Sequence, residues 1–323
     1  MNILIVRTDK LGDFITALPS IYVLKKYNKK NKIIVCVSSI NELLAKKCDF
    51  IDEVIVDEKD SSVLKLAQKI KALKIDASIT LFSNTRVAFA QFLALIPKRI
   101  APATKIAQIF YNHRVAQRRS EVKMTEFQYN LELTKELFFD IDLEYRQPLL
   151  ELDGSKDVYD VFCINNDIDK TKKIIAFHVG SGGSSDANWN SVEYESLIRS
   201  ILKQKKYQIV LTFGPDEKKL YEEMQIRLRD EDVVFYFSLD GLIYFAKLIS
   251  NFKLFVSTST GTYHLASLLG TPTMTFFGDS LFASASRWKS VGSEKLQTHF
   301  MLPQDTKKRK QMLEKVRESL LTL

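Results

Sequence analysis

The feature that most constrains this chain is a regular alternation of short Val/Ile-rich runs with amphipathic helical patterns, and it occurs twice. In the first half, "NILIVR" (2–7), "KIIVCVS" (32–38), "EVIVD" (53–57) and "DASITLF" (76–82) read as strands buried on both faces. Between them "ITALPSIYVLKKYN" (15–28), "NELLAKKC" (41–48) and "SSVLKLAQKIKALK" (61–74) read as helices, and a helical stretch over 125–139 closes this half. The pattern then restarts with "KKIIAFHV" (172–179), "YQIVLTFG" (207–214), "VVFYFS" (233–238), "KLFVS" (253–257) and "TPTMTFFG" (271–278) as strands, the last being the final one expected. Helical patterns at 191–204, 216–229 and 242–251 lie between them. Strand–helix–strand succession of this kind builds a parallel sheet with right-handed crossovers. The chain is therefore predicted to be α/β, with two Rossmann-like domains over 1–160 and 161–323. A loose polar segment, "ELDGSKDVYDVFCINNDIDKTKK", marks the linker near 145–170. The last helix is expected to pack back on the N-terminal domain.

A length of 323 residues suits two domains of ordinary size, and 46% hydrophobic with 27% charged residues is a globular composition. No apolar run reaches the roughly 18 residues of a membrane span. The chain enters directly on a strand, so no signal peptide is expected. Cys36, Cys48 and Cys163 are scattered, which argues against a disulfide framework or a zinc site and fits a reducing compartment. A net charge of +8 invites an acidic partner. The charge is uneven: residues 98–123 hold seven Lys/Arg against one acid, Glu121, and "KKRK" occupies 307–310. Neither run has the aromatic platform or recognition helix of a nucleic-acid module.

Doubly wound domains bind ligands beyond the carboxyl ends of their strands, so the loops there carry the functional candidates. The first is "RTDKLGDF" (7–14). Gly12 permits a tight turn, and Asp13 stands where a helix N-cap belongs, so it reads equally as a cap or as a carboxylate able to accept a proton. Arg7 and Lys10 flank it, to hold phosphate or to keep the carboxylate ionised. The second is "HVGSGGSSDANW" (178–189), where Ser181 and Gly182 belong either to an anion-binding loop or to a plain turn. The third is "FGPDEKK" (213–219), where Glu217 is a ribose acceptor or a first-turn acid favoured by the helix dipole. The fourth, "STSTGTYHLASLLG" (257–270), sets Ser259, Thr260, Gly261 and Thr262 before a helix carrying His264. A helix start with hydroxyls and a glycine suits a diphosphate; a lone histidine on it is a packed core residue or a functional one.

Together these loops resemble the heptosyltransferases, family 9 of the glycosyltransferases. The likeness covers nearly the whole chain. It is strongest at "ILIVRTDKLGDFITALPSIYVLK", "GSGGSSDANWNSVEYESLI" and "STGTYHLASLLGTPTMTFFG", with "MTEFQYNLEL" (124–133) matching a further family helix. The resemblance implies a GT-B architecture, two Rossmann-like domains facing across a cleft. It implies an ADP-heptose donor on the C-terminal domain and an acidic Kdo- or heptose-bearing lipid acceptor on the N-terminal one, in lipopolysaccharide inner-core assembly. It implies a cytoplasmic protein, peripheral on the inner membrane, with the basic segment 98–123 drawing in an anionic glycolipid.

On this likeness Asp13 is the general base on an acceptor hydroxyl, which displaces the nucleoside diphosphate with inversion. Thr260, Gly261 and Thr262, helped by Ser181 and Gly182, receive the departing charge. The scheme calls for no metal and no cofactor. Two positions depart from the family pattern. Ser259 stands where an Asp is common, and Ala187 and Asn188 precede Trp189 where a Lys or Arg is common, leaving Arg7 or Lys10 as substitute phosphate ligands. A sugar-nucleotide epimerase of the same architecture and a sugar-nucleotide-binding protein without turnover are the alternatives. The cleft carboxylates expected of the first are not evident, and the Gly12-Asp13 pair argues against the second. Hydride transfer is disfavoured because the first loop lacks GxGxxG.

Overall fold

The computed structural model describes residues 1–183 and 187–323. Two compact units divide the chain, Met1–Leu149 and Leu150–Leu323. The first contains β1 (Asn2–Arg7), α1 (Leu11–Tyr27), β2 (Lys32–Val37), α2 (Glu42–Ala45), β3 (Glu53–Val56), α3 (Val63–Ala72), β4 (Ala77–Thr80), α4 (Thr85–Leu93), β5 (Lys98–Pro102), β6 (His113–Val115) and α5 (Glu126–Glu132). The second contains α6 (Ser155–Asn165), β7 (Lys173–His178), α7 (Ser191–Leu202), β8 (Tyr207–Phe213), α8 (Lys218–Arg227), β9 (Val233–Phe237), α9 (Leu242–Ile249), β10 (Leu254–Thr258), α10 (Gly261–Leu268), β11 (Thr273–Gly278), α11 (Ala285–Trp288), β12 (Gln297–Leu302) and α12 (Thr306–Leu321).

Each unit folds around a six-stranded sheet, in the orders β3-β2-β1-β4-β5-β6 and β12-β11-β10-β7-β8-β9. The described strand pairs are parallel, as in β1 with β4 (Ile3 opposite Ala77) and β7 with β10 (Ile175 opposite Leu254). Counted from each unit's own first strand, both orders are 3-2-1-4-5-6, the doubly wound topology. The strand order reverses between β1 and β4 and again between β7 and β10. In doubly wound sheets such points, where neighbouring loops leave in opposite directions, are where ligands bind.

The Val/Ile runs form these strands because both their faces are covered. Leu4 and Val6 belong to a cluster with Leu66, Ile70, Val87 and Ala90 of α3 and α4. The intervening Ile3 and Ile5 are equally buried and so face the other side of the sheet. In the second unit Ile175, Phe177, Ile209, Leu211 and Phe276 pack with Tyr194, Leu197 and Ile201 of α7.

Four stretches differ from the sequence expectation. α1 starts at Leu11, not at residue 15, so Gly12 and Asp13 lie inside its first turn and Lys10 takes the N-cap position without a side-chain cap bond. The segment 98–123 supplies β5 and β6, two short edge-side strands whose basic, proline-containing sequence hides them. The polar stretch read as a linker contains α6, which buries Phe162 and Cys163; its remaining turns are polar enough to mask the pattern. The sheet also continues past residue 278, because "QTHFML" adds β12 beside β11. The closing helix α12 places Val316 and Leu320 in the core of its own unit, and Arg317 Nη2 donates to Ser196 Oγ of α7 at 2.7 Å. The Leu320→Ala substitution empties a fully buried site and is expected to lower the unfolding free energy by about 2–4 kcal/mol. Urea unfolding followed by circular dichroism measures this, and a change below about 0.5 kcal/mol would contradict the placement of α12.

Candidate active site

At the reversal point of the first sheet, the loop Thr8–Lys10 is tied to its neighbours on both sides. Asp9 O accepts from Ser38 Oγ at 2.9 Å and from Asn41 Nδ2 at 3.1 Å, both beyond β2. On the other side Asn84 Nδ2 donates to Thr8 Oγ1 at 3.2 Å while its own carbonyl caps α4.

Arg7 ends β1 and is 3% exposed. A buried guanidinium requires partners for its N–H groups, and it has carboxylates on three sides. Nε donates to Asp9 Oδ1 at 2.8 Å, Nη2 to Asp13 Oδ1 at 2.8 Å, and Nη1 to Glu126 Oε1 at 3.4 Å. Nη1 also reaches the carbonyl of Leu81, beyond β4. Burial opposes the charge on Arg7, and the three carboxylates outweigh it, so its pKa rises. Burial likewise pushes the Asp9 carboxyl up to about 6; Arg7 opposes that shift and the charge of Asp13 adds to it. Arg119 completes the group by pairing with Glu126 while its guanidinium lies over the Tyr129 ring.

Gly12 and Asp13 were expected at a tight turn and an N-cap. Both are helical instead, because the turn from β1 into α1 is made by Thr8–Lys10. From the helix Asp13 projects to Arg7 and stays partly exposed. Its Oδ1 is anchored, whereas Oδ2 accepts no hydrogen bond from the described residues. Lys10 is exposed.

At the reversal point of the second sheet, the loops after β7, β8 and β10 converge. Glu217, at the start of α8, turns back to the first of these. Its Oε2 accepts from Gly214 N at 2.8 Å and its Oε1 from Gly182 N at 3.3 Å. The carboxylate fills the space where a Cβ on Gly180 would stand, 1.7 Å from Oε1. Gly182 and Gly183 adopt φ of +51° and +65°, the left-handed region that favours glycine. His178, beneath this loop, has Nδ1 3.0 Å from Thr212 Oγ1 and Nε2 3.8 Å from Glu217 Oε2. Ser181 is partly exposed on the same loop, and positions 184–186 of the expected anion loop lie outside the described residues.

The hydroxyl-rich stretch behaves differently residue by residue. Ser259 is anchored through its backbone N–H to Phe276 O at 2.9 Å. Thr260 Oγ1 and Thr262 Oγ1 are 2.8 Å apart. Thr260 is the N-cap of α10, and among the described residues its side chain makes no cap hydrogen bond to the first-turn N–H groups. Gly261 and Thr262 are partly exposed at that end. His264, one turn on, is buried, with Nδ1 3.1 Å from Ser290 Oγ. Burial lowers its pKa to about 3, so the imidazole is neutral and pins the segment after α11 to α10.

A cation does stand near Trp189, although its immediate predecessors are Ala187 and Asn188. Arg309, from the "KKRK" run, lies 4.7 Å over the Trp189 ring, donates to Asn188 O at 2.6 Å and pairs with Glu193 at 2.9 Å. It arrives from α12, more than a hundred residues away, so local sequence cannot show it. The sequence reading also missed Asp9, Glu126 and Arg119. The one signal for Glu126 was its place in the family-like helix "MTEFQYNLEL". Among the described residues no group of three or more His, Cys, Asp or Glu is gathered as a metal site.

The profile of glycosyltransferase family 9 (heptosyltransferase) matches residues 63–317. A Haemophilus influenzae protein, named only provisionally as a glycosyltransferase, is 35% identical over 302 residues, covering 90% of this chain and 86% of its own length. Lipooligosaccharide heptosyltransferase 2 of Campylobacter jejuni (serotype O:2) is 23% identical over 91% of this chain and 86% of its own length. Among solved structures, Escherichia coli ADP-heptose lps heptosyltransferase II shares the fold with a TM-score of 0.80 at 18% identity, covering 100% of this chain and 99% of that one. An E. coli heptosyltransferase crystallised with ADP gives 0.71 at 19% identity, covering 98% and 99%.

Two outcomes test this geometry. Gly180→Ala drives a methyl into the Glu217 carboxylate and is expected to destabilise the chain by about 1–3 kcal/mol. Adding Glu217→Ala removes the obstacle, so the double variant should be clearly less destabilised than the sum of the two single changes; additivity would show that the contact does not exist. The second concerns pH. The folded pKa of His264 lies below the ordinary 6.5, so its contribution is complete above that pH and is lost as pH falls towards 3. His178, lowered by burial, acts in the same direction, and the raised Asp9 in the opposite one. The difference between wild type and His264→Gln should therefore narrow steadily below pH about 6.5 in urea melts, and a constant difference would refute a buried neutral His264.

Proposed function

The chain belongs to glycosyltransferase family 9, and from that premise we propose that it transfers a heptose from ADP-heptose, with inversion, to an acidic Kdo- or heptose-bearing glycolipid of the lipopolysaccharide inner core. That it is a glycosyltransferase follows from the family match. The ADP-heptose donor is supported by the names of the E. coli enzymes that share its fold, and the glycolipid acceptor by that of the C. jejuni relative.

The observation that carries the mechanism is the single anchored oxygen of Asp13. Arg7 fixes Oδ1 and so orients the carboxylate, which leaves Oδ2 to take the proton of the acceptor hydroxyl. The freed oxygen attacks the anomeric carbon, and the bond to the diphosphate breaks with its electrons going to the leaving phosphate. That developing charge is received by the uncapped start of α10, through the N–H groups of Gly261 and Thr262 with the hydroxyls of Thr260 and Thr262. Ser181 and Gly182 border the same ligand on the neighbouring loop. Glu217 acts as the clasp that shapes that loop, and His264 supports α10 from behind. Ser259, lacking the carboxylate common at this position, removes a negative charge from the leaving-group end. A cytoplasmic protein peripheral to the inner membrane is the location this reading requires. The epimerase and non-catalytic alternatives are disfavoured by family membership.

The test is calorimetric titration of ADP-heptose, ADP-glucose, GDP-mannose and UDP-glucose into wild type and Asp13→Asn, followed by turnover on a Kdo-lipid acceptor. ADP-heptose should bind both proteins with similar affinity, while kcat of the variant should fall by roughly 10²–10⁴. Retention of most of the turnover would remove Asp13 from the role of base, and absence of binding by every donor would remove the donor assignment.

A further inference from the structure

The corner of the first unit formed by the end of α4 and the 3-10 turn Ile106–Phe110 exposes side chains that a water-facing surface normally hides. Leu95 is 69% exposed, Ile106 73% and Ile109 64%, with Phe92 beside them at 44%. Ile106 and Ile109 are three residues apart in a turn of three residues per revolution, so they project from the same side. Phe92 and Phe110 tie the end of α4 to this turn. The Phe92 and Phe110 rings lie 5.8 Å apart. One guanidinium, Arg99, bonds to the carbonyls of both Ile96 and Phe110 and sits 5.6 Å from the centre of the Phe92 ring. Leu95 and Lys105, at the two edges, are held at positive φ (60° and 57°), a costly conformation for such residues.

Along the stretch of chain that bears this apolar group the charged residues have one sign, although Arg86 pairs with Asp57 and Arg118 with Glu121 from outside it. From Ala77 to Ser120 the chain contains no Asp or Glu, while Arg86, Lys98, Arg99, Lys105, Arg114, Arg118 and Arg119 all fall within it. Arg119 is folded inward against Glu126, and Lys98 is bound to Glu136 O. Lys105 remains at the rim, its ammonium 4.4 Å from the centre of the partly exposed Phe82 ring. The same ring carries the link to Asp13, since the Arg7 guanidinium lies 5.7 Å from its centroid. A protruding aliphatic cluster with a cationic rim matches the layered chemistry of a bilayer: acyl chains below, anionic headgroups at the surface.

We propose that Leu95, Ile106, Ile109 and Phe92 insert into an anionic lipid bilayer, with Arg99 and Lys105 at headgroup level, and that this places the Asp13 end of the unit at the membrane surface. The inference deepens the glycolipid-transferase reading, from which it takes its biological sense, but the geometry stands on its own.

The full-length chain would be floated with vesicles of phosphatidylcholine alone and of phosphatidylcholine with phosphatidylglycerol at three to one. Wild type should associate with the anionic vesicles and far less with the neutral ones, and added salt should release it. Ile106→Asp/Ile109→Asp should lower the partition coefficient at least about tenfold, and Lys105→Glu by roughly fivefold or more. These positions are exposed, so circular dichroism and the unfolding midpoint should stay at wild-type values; the milder Ile106→Ser/Ile109→Ser pair serves if they do not. Equal binding by wild type and the variants overturns the proposal, as does wild type that ignores both vesicle types. So does a wild-type dimer that the Ile106/Ile109 changes convert to monomer without any vesicle binding, which would make the patch a contact between copies. The assay contains neither donor nor acceptor, so its failure leaves the transferase reading intact, and failure of the donor titrations leaves this one intact.

Discussion

One buried guanidinium organises the reversal point of the first unit's sheet. Arg7 lies at the end of a central strand, where the fold leaves room for a polar side chain only if each of its donors is met. The donors are met from different parts of the chain: Asp9 in the following loop, Asp13 on α1, Glu126 on α5 and the carbonyl of Leu81 after β4. Charge-assisted hydrogen bonds in such a dry setting are strong and directional. They also make every partner depend on the others, because removing one leaves an uncompensated buried charge. The orientation of Asp13 is therefore a property of the whole cluster. Burial in the same cluster raises the Asp9 carboxyl to about 6, so the charge beside Asp13 changes within a mildly acidic range.

The second unit solves a related problem with the opposite charge and with backbone in place of side chains. Among the described residues its reversal point gathers no guanidinium cluster. A carboxylate, Glu217, gathers the amides of Gly182 and Gly214 and occupies the space left by the missing side chain of Gly180. Next to it α10 begins at Thr260, whose side chain makes no cap hydrogen bond among the described residues, and Gly261 and Thr262 at that end are partly exposed. The helix is held in place from its buried side: Tyr263 OH donates to Gln297 Oε1 and accepts from Ser290 N, and His264 meets Ser290 Oγ. A rigid support with an unsatisfied helix start is the arrangement expected of a site whose remaining hydrogen bonds are supplied by an anionic ligand.

Legibility of the sequence tracked locality. Strands buried on both faces announce themselves as Val/Ile runs, and β1, β2, β7, β8, β10 and β11 were readable for that reason. β5, β6 and β12 were not, because their sequences carry Lys, Arg, Pro and His, whereas the outermost β3 and β9 kept a Val/Ile/Phe run and were read. α6 escaped because only Phe162 and Cys163 among its residues are buried, too few to set a period. The site candidates followed the same rule. Arg7, Asp13 and Thr260–Thr262 were visible from their place just after strands. Asp9 lay in the same loop but carried no pattern of its own. Glu126, Arg119 and Arg309 reach their partners only through packing of α5 and α12.

The amino-acid sequence by itself determined the class of fold, the doubling of the unit and the loops that bear the candidate residues, since all three depend on periodicity and on positions counted along the chain. The tertiary structure alone decided which charges meet. It made Asp13 a helical residue held by a buried arginine, Glu217 a clasp on a glycine, and His264 a neutral core support. It also separated the cations of 98–123 into those folded inward and those left at an apolar rim. Those outcomes rest on burial and on contacts between residues distant in sequence, and the energy of a charge depends on its surroundings more than on its neighbours in the chain.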